Sequence, residues 1–344
     1  MSALRTAILG CGRFARRHAA HLASLDQVKL VGFCNSSVEQ ANAFNQDYAN
    51  GQARVFTDYE QMFAELSLDL VYICLPPYAH DREVELACRH GVHFLIEKPI
   101  ALTMELAQSM ADHVRASGVK SQVGFMYRHG VAALRLKQRM PPSGTGLGAF
   151  MVARYACNSL HRAWWRDRSK SGGQLVEQVI HLLDLARFFL GEPVQVYSMQ
   201  ENLFHRDVEG YTAEDVSATT IRFASGGLAV VAATNGAIPN RWDYDWRLVL
   251  PGLTADFTDA NNAVFHETRQ AEPAAETVAA DKDLYLAETL DLLGAIHDDR
   301  PTAVPIEEGV RTLRLALAAR QAAEQNAPVT LAVPQLDSEQ ARTT

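Results

Sequence analysis

The chain has 344 residues, 48% of them hydrophobic, and a formal net charge of -8. This length predicts about two domains with a large core, and the acidic balance without a basic run argues against nucleic acid as a partner. No apolar stretch is long enough to span a bilayer and the N-terminus lacks the features of a signal peptide, so we expect a cytoplasmic protein with no membrane partner. The 5 cysteines have no CxxC spacing, so the sequence predicts neither a disulfide framework nor a zinc site.

Short apolar runs alternate with helical patterns through the first third of the chain. Each run is followed by a helical segment: RTAILG by RFARRHAAHLASL, VKLVGFC by SVEQANAFNQDYA, LDLVYICLP by HDREVELACRHG, and HFLIEKP by TMELAQSMADHVRASG, with SQVGFM closing the series. This alternation predicts a parallel, doubly wound sheet in a first domain over residues 1–125. Sheets of this kind bind ligands at the carboxyl ends of their strands.

The first turn between strand and helix reads GCGRFA, a glycine-rich pattern that binds dinucleotides in this context. Gly10 permits the tight turn, Gly12 lets the backbone approach a pyrophosphate, and Ala15 lets the helix pack closely on the strand. Amides at the helix N-terminus then meet the anion. We therefore predict an NAD or NADP site that includes Gly10, Cys11, Gly12, Arg13, Phe14 and Ala15.

The second strand ends in Asn35, Ser36 and Ser37, where an acidic residue would bind the adenosine ribose of NAD. An amide can still bond a ribose hydroxyl, and it does not repel the 2'-phosphate of NADP. Arg13 is the one nearby cation in the sequence for that phosphate. We expect Asn35 and Ser36 to contact the cofactor, and the sequence leaves NAD and NADP both open.

A lysine follows the buried fourth run, in HFLIEKPIAL. The residue before a proline is restricted to extended geometry, so we expect Lys98 to continue the strand and Glu97 to project to the opposite side. A solvated Glu–Lys pair is the ordinary alternative. Lys98 falls at the ligand-binding edge of the sheet, and this position favours a functional role for it.

Beyond residue 126 the pattern changes to successive strands with turn residues between them. This predicts a mostly antiparallel sheet in a second domain over residues 126–334, followed by a polar tail over 335–344. Helices are expected near GGQLVEQVIHLLDLARFFLGEP, around Leu284 to His297 and from Glu307 to Gln325. The predicted strands are GAFMVARYAC, VQVYSMQEN, DVSATTIRFA, GLAVVAATNG, DWRLVLPG, LTADFTD and NAVFHET.

The first of these helices is almost entirely apolar, but Glu177, His181 and Asp184 form one polar stripe at i, i+4 and i+7. A carboxylate four residues from an imidazole can hold its orientation. A satisfied core histidine is the ordinary alternative, and a nearby Lys98 and dinucleotide favour acid–base chemistry. We expect Gly172 and Gly173, just before the stripe, to allow close approach to a ligand.

In the order GCGRFA, CLPPYAH, EKP, WWRD, GGQLVEQVIHLLD and DLYLAETLDLLGAI, the chain resembles the Gfo/Idh/MocA family of oxidoreductases from about residue 4 to 331. The resemblance implies an α/β architecture, with an N-terminal Rossmann dinucleotide-binding domain and a C-terminal α+β domain that has a large, mostly antiparallel open sheet. It implies an NAD(P)-dependent dehydrogenase acting on a sugar, polyol or sugar derivative. Lys98 corresponds to the active-site lysine and His181 to the general acid–base histidine, and the scheme requires no metal.

Further site residues follow from the same resemblance. Glu177 stands where many members have aspartate, which keeps the charge but lengthens the side chain. Its expected role is either to orient His181 or to bind a neighbouring hydroxyl of the substrate. Glu97 is expected to support cofactor or strand geometry, and His80 either caps a helix or contacts the cofactor. Trp165, Arg166 and Tyr285 match positions that line the nicotinamide end in some members, so they are expected cofactor contacts. Ordinary packing is the alternative role for these three residues. The remaining expected cofactor contacts are Leu75, Pro76 and Pro77.

Two other functions stay open: a non-catalytic regulator that senses dinucleotide, and a glycosidase that uses NAD for transient oxidation. The presence of both Lys98 and His181 argues against the first. We also expect a homodimer or homotetramer formed through the second sheet. His18 and His21 stand beside two arginines, and we expect them on a solvated face. Asp184 is expected to support the site. The Tyr127–Arg128 pair is expected either to touch substrate or to join the domains.

Overall fold

The computed structural model describes residues 3–141, 148–272 and 274–332, and the predicted polar tail lies outside these ranges. Within them the chain forms two sheets with helices packed against both. No described helix combines the length and the apolar character needed to cross a bilayer.

The first sheet has six strands in the order β3-β2-β1-β4-β5-β6, all parallel, which confirms the predicted doubly wound sheet. A third strand and the helix after it were missed, because a run of three residues carries too little pattern. The strands are Leu4–Leu9 (β1), Val28–Cys34 (β2), Arg54–Phe56 (β3), Leu70–Ile73 (β4), His93–Ile96 (β5) and Ser121–Val123 (β6).

Both faces of this sheet are buried, which is why its strands read as continuous apolar runs. Ile8 and Phe33 pack toward one layer of helices, and Ala7 and Cys34 pack toward the other. Side-chain caps from Ser37, Asp58 and Thr103 begin three of the helices. The helices are Arg13–Ala23 (α1), Val38–Ala49 (α2), Tyr59–Glu65 (α3), Glu83–Arg89 (α4) and Met104–Ser117 (α5).

The second sheet has nine strands in the order β14-β13-β12-β11-β7-β10-β9-β8-β15. β7 and β10 run parallel and the other described pairings are antiparallel, so the predicted mostly antiparallel sheet is confirmed. The seven predicted strands are present, and β14 and β15 were missed. The strands are Phe150–Ala156 (β7), Pro193–Glu201 (β8), Val216–Phe223 (β9), Leu228–Thr234 (β10), Asp243–Leu250 (β11), Leu253–Phe257 (β12), Ala263–Glu267 (β13), Ala274–Val278 (β14) and Val329–Thr330 (β15).

Helices cover one face of this sheet, and the last of them also pack against the first sheet. The three short helices α6, α7 and α8 were not predicted, and a π-helical turn at Leu175–Val179 precedes α9. The helices are Val131–Arg139 (α6), Ala163–Arg166 (α7), Arg168–Ser171 (α8), Ile180–Leu190 (α9), Leu284–His297 (α10) and Ile306–Gln325 (α11).

The last two long helices connect the sheets. Leu292 and Leu293 of α10 belong to the same buried cluster as Ile8 of β1, and Tyr72 of β4 donates a hydrogen bond from its hydroxyl to Thr289 at 3.1 Å. α11 packs between α5 and β8. The carboxyl edge of the first sheet is thereby held against the helical layer of the second.

Candidate active site

The predicted cofactor residues converge on one edge of the first sheet. The carboxyl ends of β1, β2, β4 and β5 lie side by side there because the strands are parallel neighbours. The edge carries the GCGRFA turn, Asn35 and Ser36, the segment from Leu75 to Pro77, and the pair Glu97 and Lys98.

The glycine turn has the shape that a pyrophosphate needs. Gly10 has φ +90°, and a Cβ there would lie 2.5 Å from the carbonyl oxygen of Cys74, so no other residue fits. A Cβ on Gly12 would meet nothing within 4 Å, which leaves open space at the N-terminus of α1. No side chain caps that terminus, and Ala15 is fully buried against the sheet. The residues present therefore fit a dinucleotide phosphate.

Asn35 supports this turn through its side-chain amide, and its predicted contact with the ribose stays a prediction. Its Oδ1 accepts the backbone N–H of Cys11 at 3.0 Å, and its Nδ2 donates to Gln40 Oε1 at 3.1 Å. Sequence reasoning assigned Asn35 to the ribose alone and missed this support. Ser36 and Arg13 are exposed beside it.

Lys98 lies in a bend after β5, which ends at Ile96, so the expectation that the lysine continues the strand was wrong. Its Nζ donates to the carbonyl oxygen of Glu177 at 2.6 Å and to Glu177 Oε1 at 3.0 Å. The ammonium also lies 6.0 Å from the ring centre of Phe14. The strand-end lysine therefore reaches across to the helical segment that carries His181.

The π-helical turn explains why Glu177 does not orient His181. A π turn inserts an extra residue per hydrogen-bonded loop, so the i, i+4 alignment of an α-helix is lost. Glu177 Oε2 accepts the indole N–H of Trp165 at 2.7 Å, and Oε1 accepts Lys98. Within the described ranges no hydrogen bond joins Glu177 to His181, so the predicted orienting contact is wrong.

Gly173 accommodates a carboxylate of the protein. A Cβ there would lie 2.2 Å from Glu214 Oε2, and Glu214 Oε1 accepts the backbone N–H of Leu175 at 2.7 Å. Burial raises the pKa of Glu214. The close approach that we predicted at this glycine thus serves to hold the start of the π turn.

His181 is partly buried, and its Nδ1 is buried without a hydrogen-bond partner among the described residues. Its ring packs against Tyr127 at 5.2 Å and Phe125 at 6.1 Å between centroids. Burial and the charge of Lys98 lower the pKa of His181 well below its ordinary value, so the ring is neutral at neutral pH. Burial and Tyr244 raise the pKa of Tyr127 well above its ordinary value, so that phenol keeps its proton.

Asp184 belongs to a different cluster. Its carboxylate accepts Arg128 Nε at 2.7 Å and Nη2 at 2.6 Å, and it accepts the Thr312 hydroxyl at 3.0 Å. Glu308 accepts the same Arg128 Nη2 at 2.8 Å. The expectation that Asp184 supports the active site was wrong, and of the two roles considered for Arg128 the structure shows the joining of elements.

His18 was expected on a solvated face but is fully buried. Its Nε2 lies 2.9 Å from Glu97 Oε1, and Glu97 Oε2 accepts the backbone N–H of Lys98 at 3.3 Å. The error came from the flanking arginines, which are exposed, while His18 turns inward under α10. Glu97 thus ties α1 to the bend that carries Lys98.

Glu288 of α10 completes this cluster. His18, Glu97 and Glu288 bring one possible ligand atom each within 4.8 Å of one another. Burial and the charge of Glu97 raise the pKa of Glu288 well above its ordinary value. The cluster therefore places two carboxyl groups beside one buried imidazole.

The remaining predicted residues have protein partners. His80 Nδ1 lies 2.6 Å from Glu83 Oε1, and both side chains are buried. Arg166 donates to the carbonyls of Leu160 and His161 at 2.6 and 3.2 Å. Tyr285 packs 5.6 Å from His18. Cofactor contacts by these residues stay predictions.

A parallel sheet with an open glycine turn at its carboxyl edge, and Lys98 beside that edge, are typical of an oxidoreductase that uses a nicotinamide dinucleotide. The family model described as "Oxidoreductase family, NAD-binding Rossmann fold" matches residues 4–125, and "Oxidoreductase family, C-terminal alpha/beta domain" matches residues 147–331. The chain belongs to the Gfo/Idh/MocA oxidoreductase family, as its motifs predicted, and it is an NAD(P)-dependent enzyme.

Individual relatives agree with this assignment. The chain is 30% identical over 244 residues to D-glucoside 3-dehydrogenase of Escherichia coli (strain K12), covering 66% of this chain and 69% of the relative. It is 24% identical over 336 residues to myo-inositol 2-dehydrogenase of Thermotoga maritima, covering 95% and 98%. The solved structure of levoglucosan dehydrogenase with NADH and L-sorbose has a TM-score of 0.86 at 19% identity and covers 98% of this chain and 100% of that one, which shows a shared fold.

Proposed function

We propose that this enzyme transfers hydride between NAD(P) and a hydroxyl-bearing carbon of a sugar, polyol or sugar derivative, with Lys98 and His181 handling the hydroxyl proton. The observation that carries the proposal is the contact of Lys98 Nζ with Glu177, at 2.6 and 3.0 Å, which brings the strand-end cation to the segment that holds His181. This contact joins the dinucleotide edge to the acid–base group.

The dinucleotide would be held by the GCGRFA turn and the ends of β2 and β4. The open space at Gly12 and the uncapped amides of α1 suit the pyrophosphate, and Asn35, at the end of β2, would bind the ribose. The nicotinamide, when bound, supplies the hydride acceptor or donor. Phe14 of this turn is exposed, and its ring centre lies 6.0 Å from Lys98 Nζ.

Lys98 is suited to bind the substrate oxygen. An ammonium has three donors, and among the described residues Glu177 receives two hydrogen bonds from it. A further donor can point at a hydroxyl and stabilise the alkoxide that develops when its proton leaves. The side chain is only 7% exposed, so little water competes for that position.

His181 is suited to accept the proton. Its lowered pKa keeps it in the base form at neutral pH, and the nearby cation of Lys98 favours the alkoxide over the neutral alcohol. Tyr127 beside it keeps its own proton, so it is not available as the base. Proton abstraction therefore falls to His181.

The substrate class rests on the relatives. Their names specify a glucoside, an inositol and levoglucosan, which are all rich in secondary hydroxyl groups. A buried site with a lysine, a carboxylate and an imidazole offers the hydrogen bonds that such hydroxyls need. This supports a polyhydroxylated substrate.

The outer face of the second sheet supports the expected homo-oligomer. Phe150 of β7 pairs across the strands with Leu228 of β10 and Val249 of β11, and all three are at least 40% exposed. A row of apolar side chains on an exposed sheet marks a contact surface. Phe150→Lys should lower the molar mass measured by light scattering, and an unchanged mass would remove this face from the interface.

A substrate panel tests the proposed reaction. Purified protein is incubated with NAD⁺ or NADP⁺ and with myo-inositol, scyllo-inositol, methyl D-glucosides or levoglucosan, while nicotinamide absorbance and free sugar are followed. Net formation of NADH or NADPH that is abolished in Lys98→Met supports the dehydrogenase. Release of methanol from the glucosides without net reduction would indicate the transient-oxidation glycosidase, and tight dinucleotide binding with no turnover would favour the regulator.

A further inference from the structure

The indole of Trp165 makes a polar contact inside the candidate site. Its Nε1 donates to Glu177 Oε2 at 2.7 Å, while the other oxygen of the same carboxylate accepts Lys98 at 3.0 Å. Trp165 is 3% exposed and Glu177 is 9% exposed, so water cannot readily replace either bond. The carboxylate is held from two sides.

Trp165 is itself fixed by its neighbours. Its ring lies 4.1 Å from the ring of His161 and 6.1 Å from that of Tyr211, measured between centroids. The following residue, Arg166, accepts the backbone N–H groups of Thr212 and Ala213 at 2.9 and 3.0 Å. The indole donor therefore has a defined position before any ligand binds.

We propose that Trp165 is a positioning residue: its indole N–H holds the Glu177 carboxylate in the orientation that receives Lys98, and so sets the place of the ammonium. The inference deepens the proposed function and depends on it. Among the described residues Trp165 makes no hydrogen bond to Lys98, so its effect passes through Glu177.

The length of Glu177 fits this role. The π-helical turn sets its backbone carbonyl 2.6 Å from Lys98 Nζ, so the side chain must curl back to reach the same ammonium and also extend to the indole. Aspartate is one methylene shorter and has less reach toward both partners from this backbone. Glutamate and tryptophan at these two positions thus work as a pair.

A double-mutant cycle tests the pair on whichever panel compound is turned over fastest. Trp165→Phe keeps an aromatic ring and removes the N–H, and kcat/KM should fall on the order of 10- to 100-fold because the ammonium loses its fixed position. In a Glu177→Ala background the same change should cost less than about 3-fold. If Glu177→Ala does not fold, Glu177→Met serves as the background, since it keeps the length of the side chain and has no carboxylate for the indole N–H.

Trp246→Phe is the matched control. Trp246 is also buried, at 2% exposure, but its Nε1 has no hydrogen-bond partner in the described part of the chain. Trp246→Phe should leave the pH profile of kcat/KM unchanged. Trp165→Phe should move the acid limb to higher pH, because an ammonium that has lost its fixed position lowers the pKa of His181 less. NADH affinity, measured by fluorescence titration, should stay within about 3-fold in Trp246→Phe. In Trp165→Phe it should fall less than kcat/KM, because the contact with Glu177, rather than the predicted contact at the nicotinamide end, carries the effect.

Two results would overturn the inference. One is an equal loss from Trp165→Phe in the wild-type and Glu177 backgrounds, and the other is a lower melting temperature with unchanged kcat/KM and pH profile. Lys98→Met is measured alongside: if it keeps normal turnover, the proposed function fails as a whole. If it is inactive while the cycle is additive, only the role of Trp165 fails.

Discussion

Two charged clusters lie along the same helical segment and differ in how completely they are satisfied. At Asp184, both carboxylate oxygens and the Arg128 guanidinium are bonded to each other and to Thr312 and Glu308. Seven residues earlier, Glu177 holds Lys98, and the neighbouring His181 has a buried Nδ1 without a partner among the described residues.

The difference separates a structural cluster from a chemical one. A saturated buried network holds elements together and has no capacity left for a ligand. A cation with a donor to spare beside a neutral imidazole can bind and deprotonate a hydroxyl. Substitutions in the two clusters should therefore affect different properties.

The largest effect on turnover is expected from His181→Asn. The amide keeps a hydrogen-bonding group but cannot take up a proton near neutral pH, so kcat should fall by about 10²- to 10⁴-fold. NADH affinity should be preserved because the glycine turn is on the first domain. Normal turnover with a lowered melting temperature would instead make His181 a core histidine.

The largest effect on stability is expected from Asp184→Asn. Breaking a buried ion pair leaves Arg128 less compensated and should lower the free energy of unfolding by roughly 3 kcal/mol. Asp47→Asn, which breaks the exposed pair with Arg16, should cost less than about 1 kcal/mol. Urea unfolding at neutral pH measures both. A large loss of kcat in folded Asp184→Asn would contradict the assignment of Asp184 to a purely structural cluster.

Acid should destabilise the structural cluster through Glu308. Burial alone raises the pKa of Glu308, but Arg187 and Arg128 outweigh it and lower the pKa from 4.5 to about 2. A carboxyl with a depressed folded-state pKa stabilises the fold fully above its unfolded value, and this contribution is lost as pH falls from 4.5 toward about 2. Glu308→Gln should flatten the pH dependence of unfolding in that window, and an unchanged slope would contradict the assignment.

The smallest expected effect concerns cofactor preference. Asn35→Asp can still accept the Cys11 N–H while adding an acceptor for a ribose and repulsion of a 2'-phosphate. The ratio of NADP to NAD dissociation constants should rise, by a few-fold to about tenfold, a change worth up to about 1.4 kcal/mol. An unchanged ratio would indicate that Asn35 only supports the glycine turn and does not contact the ribose.

The sequence predicted what depends on local patterns. The glycine turn, the alternation of strands and helices, and the lysine at a strand end are each contained in a few neighbouring residues, and the structure brings them to one edge. The contacts that connect distant segments were not predictable in this way. Lys98 and Glu177 are 79 residues apart, as are His18 and Glu97.

The helix with Glu177 shows why pattern alone misled. Its apolar sequence reads as one continuous α-helix, and no residue signals the π-helical turn that separates Glu177 from His181. The placement of His18 failed because exposed arginines surround an inward-facing ring, and only the return of α10 near the end of the chain covers it. Both depend on tertiary packing.

The central claim is that Lys98 and His181 act as one unit, and the pH profile of kcat/KM tests it most directly. In the wild type the acid limb should lie well below the ordinary histidine pKa, because burial and Lys98 hold the His181 ring neutral. In the residual activity of Lys98→Met that limb should move to higher pH, since the charge that disfavours protonation is gone, and in His181→Asn it should disappear. An acid limb at the same pH in all three proteins would contradict the account.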